Sequence, residues 1–270
     1  MTSYSDHKDR VQREFTRQAA AYAATPSVAD PDRVARLIAA VDPSPEARVL
    51  DIATGPGYVA LGFAAQCREV VGIDLTAAPL AIAEQNRQAL RLDNVTFQLG
   101  DAEHLPFADG EFDAVVCRYA FHHCEDPSRI LVEMARVCRP DGRVAVEDLV
   151  VSEEPERAAY QNRFENLRDP SHVRAYPLSE LLQLFAAIAL EIENVTMDRL
   201  VPDVQRWLSN AGTPVDRRSA ARVQIERDAV EDLSGARPFW RDQLLYFVQR
   251  TAAVVGITRR SKAPGGRQQE

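Results

Sequence analysis

The sequence predicts an α/β protein with a doubly wound, mostly parallel, seven-stranded sheet, an N-terminal helical lid and a helical cap. Apolar runs of strand length alternate with amphipathic segments between residues 43 and 151. The first of these runs ends in a glycine-rich turn, and the alternation stops after about residue 152. Strands buried on both faces, with helices between them, are typical of a parallel sheet.

Residues 1–42 are predicted to be helical and to form the lid. Val11, Phe15, Ala19 and Tyr22 recur at helical spacing, so they share one face of a first helix. The segment "TPSVADPD" interrupts the pattern, and Pro31 begins the next helix. Proline is favoured at that position because the first turn of a helix needs no N–H donor.

Residues 43–151 are predicted to form a ligand-binding core. Its strands are predicted at "RVLDIA", "EVVGIDL", "VTFQLGD", "FDAVVCRYA" and "RVAVEDLVV", and its helices at "GYVALGFAAQC", "APLAIAEQNRQALRL" and "PSRILVEMARVCR". Residues 152–258 are expected to supply cap helices and the final strands of the same domain. Residues 259–270 contain glycine, proline and basic residues, and we expect a disordered tail there.

Composition excludes several classes of protein. The chain has 270 residues, a net charge of -8 and 46% hydrophobic residues. An acidic protein repels phosphate backbones, so we expect no nucleic-acid partner. No run reaches the ~18 apolar residues of a membrane helix, so membrane insertion is not expected. The polar N-terminus favours a cytoplasmic location, where the four cysteines would stay reduced. The protein could form a homodimer.

The stretch "VLDIATGPGYVALG" contains the glycine turn and supports two interpretations. Gly55, Gly57 and Ala60 fit the dinucleotide fingerprint G-x-G-x-x-A, and Asp74 ends the next strand near the ~20-residue offset of a ribose-binding acid. An NAD(P)-dependent dehydrogenase is therefore one interpretation of this turn.

Three features favour a different nucleoside ligand. Asp51 lies four residues before Gly55, where a carboxylate is awkward beside a pyrophosphate but suits a cation or braces the turn. Asp101 follows the third strand at the same sheet edge, where it could accept from an adenine amine. The Tyr-x-x-x-Lys pair of many dehydrogenases is absent from the sequence.

These motifs together resemble the class I S-adenosylmethionine-dependent methyltransferases, which have a Rossmann-like fold. The segments that match are "VLDIATGPG", "VVGIDLT", "GDAEHLPFADGEFDAVVCRYAFHHCEDP" and "EMARVCRPDGRVAVED". Within the superfamily the chain is most similar to the small-molecule branch typified by the ubiquinone/menaquinone-biosynthesis C-methyltransferases. The match covers roughly residues 15 to 150, with Ala53 in place of the family's first loop glycine.

The resemblance implies a site for S-adenosyl-L-methionine, released as S-adenosyl-L-homocysteine. Gly55 and Gly57 would let the backbone pass the methionyl part, Asp74 would bind the ribose hydroxyls and Asp101 would meet the adenine amine. Tyr22 could close over the sulfonium, since an aromatic face suits a cation. The cofactor residues implied are Tyr22, Asp51, Ala53, Gly55, Gly57, Asp74, Leu75, Asp101, Ala102 and Arg118.

The catalytic candidates are two histidines. His122 and His123 follow the fourth strand, and because adjacent residues point in different directions we expect one, His123, to line the pocket. His172 lies on the predicted cap. Either could act as a base toward a weakly acidic substrate. The Cys117/Cys124 pair near these histidines lacks metal-ligand spacing, so we expect no metal.

The predicted function is transfer of a methyl group from S-adenosylmethionine to a carbon or oxygen of a small organic molecule. Quinone-like or phenol-like compounds and secondary metabolites are the classes of acceptor considered. The alternatives are a same-fold S-adenosylmethionine-dependent enzyme that catalyses a rearrangement or elimination, the dehydrogenase, and a non-enzymatic binding module.

Overall fold

The computed structural model describes residues 4–259, and it describes the surroundings of side chains from Asp6 onward. The tail predicted to be disordered over residues 259–270 lies outside this range except for Arg259. None of the helices within residues 4–259 has the length and apolarity needed to cross a membrane.

Helices and strands alternate along most of the chain. The first half contains α1 (Tyr4–Ala23), α2 (Pro26–Ala29), α3 (Pro31–Val41), β1 (Arg48–Ile52), α4 (Tyr58–Ala64), β2 (Glu69–Asp74), α5 (Ala77–Leu90), β3 (Val95–Leu99), β4 (Phe112–Arg118), a 3-10 turn (Phe121–His123) and α6 (Pro127–Val137). The second half contains β5 (Cys138–Val151), α7 (Pro155–Arg168), β6 (Tyr176–Pro177), α8 (Leu178–Ala187), β7 (Glu191–Leu200), α9 (Val204–Asn210), α10 (Val215–Glu231), β8 (Phe239–Arg241), β9 (Leu244–Tyr246) and β10 (Gln249–Ile257).

The central sheet has the strand order β3-β2-β1-β4-β5-β10-β7, and the short β6 pairs with β5. Only β10 runs antiparallel to its neighbours among these described strands, so the predicted mostly parallel sheet is confirmed. The strand order reverses between β1 and β4. In open α/β sheets a crevice forms at such a reversal, outside the carboxyl ends of the strands.

Two apolar layers cover the sheet, as the period-2 alternation of its strands requires. Leu50, Val115 and Val146 face α6 and α8 on one side. Val49 and Val116, one residue along in their strands, face α3 and α4 on the other side. Helix α3 buries Leu37, Ile38 and Val41 in this second layer, so α3 is part of the core. Of the helices in the predicted lid, only α1 and α2 lie outside the core.

A third apolar cluster lies in the cap. Phe164 of α7, Trp207 of α9, Ile225 of α10 and Phe247 pack together there. The stretch "LLYFVQRTAAVVGIT", which reads as one final strand in the sequence, forms two strands. Leu245 of β9 is buried in this cluster and pairs with β8, and the chain then joins the sheet as β10. The cap therefore has a small core of its own above the carboxyl edge.

Candidate active site

A cavity opens at the carboxyl edge of the sheet, where the strand order reverses. Loops after β1, β2, β3 and β4 form its wall, and α1 covers it. The residues predicted from the sequence that line it are Tyr22, Ala53, Gly55, Asp74, Leu75, Asp101, Ala102 and His123. Four others, Asp51, Gly57, Arg118 and His172, lie outside this lining.

The turn after β1 requires unusual backbone angles. Ala53, Gly55 and Gly57 have φ of 52°, 53° and 83°, all in the left-handed region. A Cβ on Gly57 would lie 2.8 Å from the side chains of Ala83 and Phe97, so only glycine fits at the start of α4. Ala53, at the position where the sequence departs from the family, adopts the angle at a cost of about 1 kcal/mol relative to glycine.

Asp51 supports this turn from behind the cavity wall. Its side chain is 1% exposed, and Oδ2 accepts from Thr54 Oγ1 at 2.6 Å and from the backbone N–H of Ala60 at 3.0 Å. Burial raises the pKa of Asp51 to about 7 although both hydrogen bonds favour its ionised form. Of the two roles considered for Asp51, its contacts are those of a brace for the loop.

Asp74 joins the loops after β1 and β2. Its Oδ2 accepts from the backbone N–H of Gly55 at 2.9 Å, and its Oδ1 accepts from that of Thr76 at 2.8 Å. Burial raises the pKa of this carboxyl above its ordinary value. The carboxylate lies on the cavity wall, so it fixes the spacing of two loops and faces a ligand space at the same time.

Helix α1 closes the cavity through polar contacts that the sequence reasoning missed. Lys8 Nζ lies 2.6 Å from Asp101 Oδ2 and 2.8 Å from Glu103 Oε2. Gln12 donates to the carbonyl of Leu75 at 2.9 Å, and His7 Nε2 donates to the carbonyl of His123 at 2.7 Å. The sequence contained one signal for these contacts: it has two lysines, and one of them, Lys8, is on the predicted lid helix.

Asp101, Glu103 and His104 have ligand-type atoms within 4.8 Å of one another, which is close enough to hold a metal ion. Lys8 already supplies a positive charge to both carboxylates. The absence of a metal stays a prediction.

Arg118 points away from the cavity. It donates to the carbonyl of Val28 in α2, and its guanidinium lies 4.8 Å from the centre of the Tyr119 ring. Tyr119, which has a φ of 57°, lines the cavity and donates to Glu147 Oε1 at 3.2 Å. Burial raises the pKa of Glu147, with Arg118 opposing it. Tyr119 is thus a wall residue that sequence reasoning did not select.

Three histidines meet beside the cavity. The ring centres of His122 and His123 are 4.0 Å apart, and those of His122 and His172 are 5.4 Å apart. His122 Nδ1 donates to Asp148 Oδ1 at 2.5 Å. Burial lowers the pKa of His122, but the charge and hydrogen bond of Asp148 outweigh burial, so the pKa is raised above its ordinary value.

His123 and His172 are held neutral. Burial, together with the charge of His122, lowers the pKa of His123 to about 4. Burial and the two neighbouring histidines lower the pKa of His172 well below its ordinary value. His172 Nε2 donates to Asn162 Oδ1 at 2.8 Å, and the same oxygen accepts from the backbone N–H of Ala175. These contacts brace α7 against the following loop.

Comparison with known proteins identifies the family. The family model described as a methyltransferase domain matches residues 50–146. The Bacillus subtilis protein named uncharacterized methyltransferase YcgJ is 36% identical over 247 residues, which cover 91% of this chain and 98% of that protein. The chain belongs to the class I methyltransferase family.

A solved structure and a second relative agree with this family assignment. The crystal structure of YcgJ has a TM-score of 0.80 at 33% identity, covering 85% of this chain and 99% of that chain. A protein of Thermotoga maritima named demethylmenaquinone methyltransferase is 39% identical over 120 residues, which are 44% of this chain and 49% of that protein. The resemblance predicted from the motifs is confirmed.

The His122–Asp148 pair predicts how the stability of the methyltransferase depends on pH. A raised pKa stabilises the fold fully below the unfolded value of 6.5, and this stability is lost as pH rises through the folded pKa. His123 and His172 have lowered pKa values, so they change the stability only at pH values below about 6.5. We therefore expect the free energy of unfolding, measured by urea denaturation, to fall as pH rises from about 6.5 through the folded pKa of His122.

Asp148→Asn should reduce this slope and lower the free energy of unfolding at pH 6 by about 3 kcal/mol, because it breaks a buried pair. The slope that remains is that of Asp51, whose pKa is raised to about 7 and whose effect on stability has the same sign up to that pH. Glu226→Gln, which breaks the half-exposed pair of Glu226 with Arg222, is the matched control and should keep the slope. The same slope in Asp148→Asn as in the wild type would contradict the assignment to His122.

Proposed function

We propose that this protein transfers a methyl group from S-adenosylmethionine to a carbon or oxygen of a small, neutral organic molecule. The observation that carries the proposal is that the acid after β2 and the acid after β3 line one cavity together with the glycine turn. This arrangement suits a nucleoside ligand, since one carboxylate can meet ribose hydroxyls while the other meets an adenine amine.

The residues of the wall fit the methionyl part of the cofactor as well. A Cβ on Gly55 would lie 3.7 Å from Tyr22 Cε1, so a side chain at position 55 would occupy the gap between the turn and α1. Burial raises the pKa of Tyr22 to about 12, so its ring stays an uncharged phenol beside that gap. An electron-rich ring at this place favours a sulfonium cation.

When bound, S-adenosylmethionine supplies an electrophilic methyl group, so the work of the protein is alignment and exclusion of water. Leu75 and Ala102 would border the adenine, while Asp51 and Gly57 keep the turn in shape. Helix α1 excludes water from above, with Phe15 and Tyr22 facing the cavity. His123 is neutral near pH 7 and would accept a hydrogen bond from the substrate.

The wall also argues for an uncharged acceptor. Asp74, Asp101, Glu103 and Glu125 line the cavity, and Lys8 is the basic side chain with which two of them pair. An anionic acceptor would be repelled by these carboxylates. The relative named demethylmenaquinone methyltransferase supports a quinone-like or phenol-like acceptor. Membership of the methyltransferase family argues against the dehydrogenase alternative, and no arrangement within residues 4–259 favours a rearrangement.

Asp74→Asn should weaken binding of S-adenosylhomocysteine by about 1–3 kcal/mol, because ribose hydroxyls lose a charged partner. Isothermal titration calorimetry measures this change, and the wild type should bind S-adenosylhomocysteine far more tightly than NAD. Asp93→Asn is the matched control, since Asp93 is exposed in the turn between α5 and β3, and its affinity should be unchanged. Unchanged affinity in Asp74→Asn, or tighter binding of NAD, would contradict the proposal.

Methyl transfer itself is tested with a panel of phenols, quinones and amines, using formation of S-adenosylhomocysteine as the readout. We expect turnover with a phenol or quinone and a loss of about tenfold or more in His123→Ala, whose side chain would contact the acceptor. The affinity of His123→Ala for S-adenosylhomocysteine should stay within about twofold of the wild type. Turnover only with amines, or an unchanged rate in the variant, would oppose this assignment.

A further inference from the structure

Two residues outside the lining of the cavity hold the ring of His123. Ser171 Oγ lies 3.1 Å from His123 Nδ1, and the same hydroxyl donates to Asp169 Oδ1 at 2.6 Å. The side chains come from distant parts of the chain, since Ser171 is in the loop after α7 and His123 ends the 3-10 turn after β4. Asp169, Ser171 and His123 therefore form a hydrogen-bonded relay.

The direction of the relay follows from the number of hydrogens. A serine hydroxyl has one hydrogen to donate, and an ionised carboxylate can only accept. Burial raises the pKa of Asp169, but the charge of Arg168 and the hydrogen bonds of Ser171 oppose burial, and the pKa lies below its ordinary range. Because Ser171 gives its hydrogen to Asp169, it must accept from His123, and the proton of the neutral ring is on Nδ1.

The far end of the relay is itself fixed. Asp169 Oδ1 also accepts from the backbone N–H of Ser171 at 2.9 Å, and its Oδ2 accepts from Gln18 Nε2 at 3.2 Å. Ser171 is fully buried, and Asp169 is 5% exposed. Since both carboxylate oxygens have donors and the Ser171 hydroxyl is held by Asp169, the hydroxyl oxygen is fixed as an acceptor for Nδ1 of His123.

The other nitrogen of the ring is the one left for a ligand. His123 lines the cavity, and its Nε2 has no hydrogen-bond partner among residues 4–259. With the proton on Nδ1, Nε2 carries the lone pair. Neighbouring His122 cannot take this role, because its Nδ1 is bonded to Asp148 and it is absent from the cavity lining.

We propose that Asp169 and Ser171 are positioning residues that hold His123 in the Nδ1–H tautomer, so that Nε2 accepts the hydroxyl proton of the acceptor. The inference rests on the proposed function for the identity of that ligand. In the step, the O–H bond of a phenol or enol breaks, its electron pair stays on the acceptor oxygen, and the proton moves to Nε2. The resulting imidazolium keeps its Nδ1–H bond to Ser171, and the charge of Asp169 stabilises it.

Helix α1 contacts each member of this relay except Ser171. Gln18 donates to Asp169, His7 donates to the carbonyl of His123, and the Phe15 ring meets the His123 ring edge to face at 5.0 Å. The helix that covers the cavity thus also fixes the orientation of the proposed base.

The tautomer can be measured without any substrate. Protein labelled with ¹⁵N-histidine is studied at pH 7 by long-range ¹H–¹⁵N correlation, and the His123 signals are assigned by their loss in His123→Gln. We expect Nδ1 protonated and Nε2 unprotonated in the wild type. Ser171→Ala should change this pattern, because it removes the acceptor for Nδ1–H, whereas Ser171→Thr retains a hydroxyl and should restore it.

An Nε2–H tautomer in the wild type would overturn the inference, even if no variant folds. So would an unchanged pattern in a folded Ser171→Ala. Calorimetry with S-adenosylhomocysteine on the same samples separates the two proposals. If S-adenosylhomocysteine binds but the ring is the Nε2–H tautomer, the relay alone is contradicted. If the ring is the Nδ1–H tautomer but S-adenosylhomocysteine does not bind, only the proposed function is contradicted. With an acceptor in hand, Ser171→Ala should lower kcat about tenfold and leave the affinity for S-adenosylhomocysteine within about twofold.

Discussion

The cavity depends on one carboxylate that holds two loops together. Asp74 accepts from the backbone N–H groups of Gly55 and Thr76, so the turns after β1 and β2 have a fixed separation. Asp51 fixes the same turn from the opposite side through Thr54 and Ala60. Because these hydrogen bonds use side chains that the sheet itself positions, the parallel sheet fixes the turns on this side of the cavity.

Helix α1, which covers the cavity, is held by different interactions from the loops after β1 and β2 that form its floor. Lys8 and Asp101 are partly exposed, so their ion pair contributes only about 0–1 kcal/mol, whereas Glu103, the second partner of Lys8, has a buried side chain. The contact of Gln12 with Leu75 is a single hydrogen bond. Helix α1 is also held by the hydrogen bonds of His7 with the carbonyl of His123 and of Gln18 with Asp169, so it is attached through several separate contacts.

The sequence predicted the floor of the site because of a topological rule. Gly55, Asp74 and Asp101 follow three parallel strands, whose carboxyl ends share an edge, so their proximity needed no knowledge of packing. The alternation of side chains along β1 and β4 also decides which residues face the cavity. Ile52 and Cys117 line the cavity, and their neighbours Asp51 and Arg118 face the opposite side of the sheet.

The remaining contacts depend on tertiary packing that no local pattern records. Lys8 meets Asp101 across 93 positions, and Ser171 meets His123 across 48. His172 lies in the segment where a catalytic histidine was sought, yet its ring is used to brace α7, while Asp169 and Ser171 beside it reach the cavity wall through His123. The packing of the cap on the sheet decides which of these neighbours contacts His123.

The central claim is that a cofactor binds between Asp74 and α1. Amide hydrogen exchange, followed by mass spectrometry with and without S-adenosylhomocysteine, tests it most directly. Exchange should slow in α1 and in the loops after β1, β2 and β3, and it should be unchanged in α10 of the cap. Protection confined to other parts of the chain, with α1 and these loops unaffected, would contradict the claim.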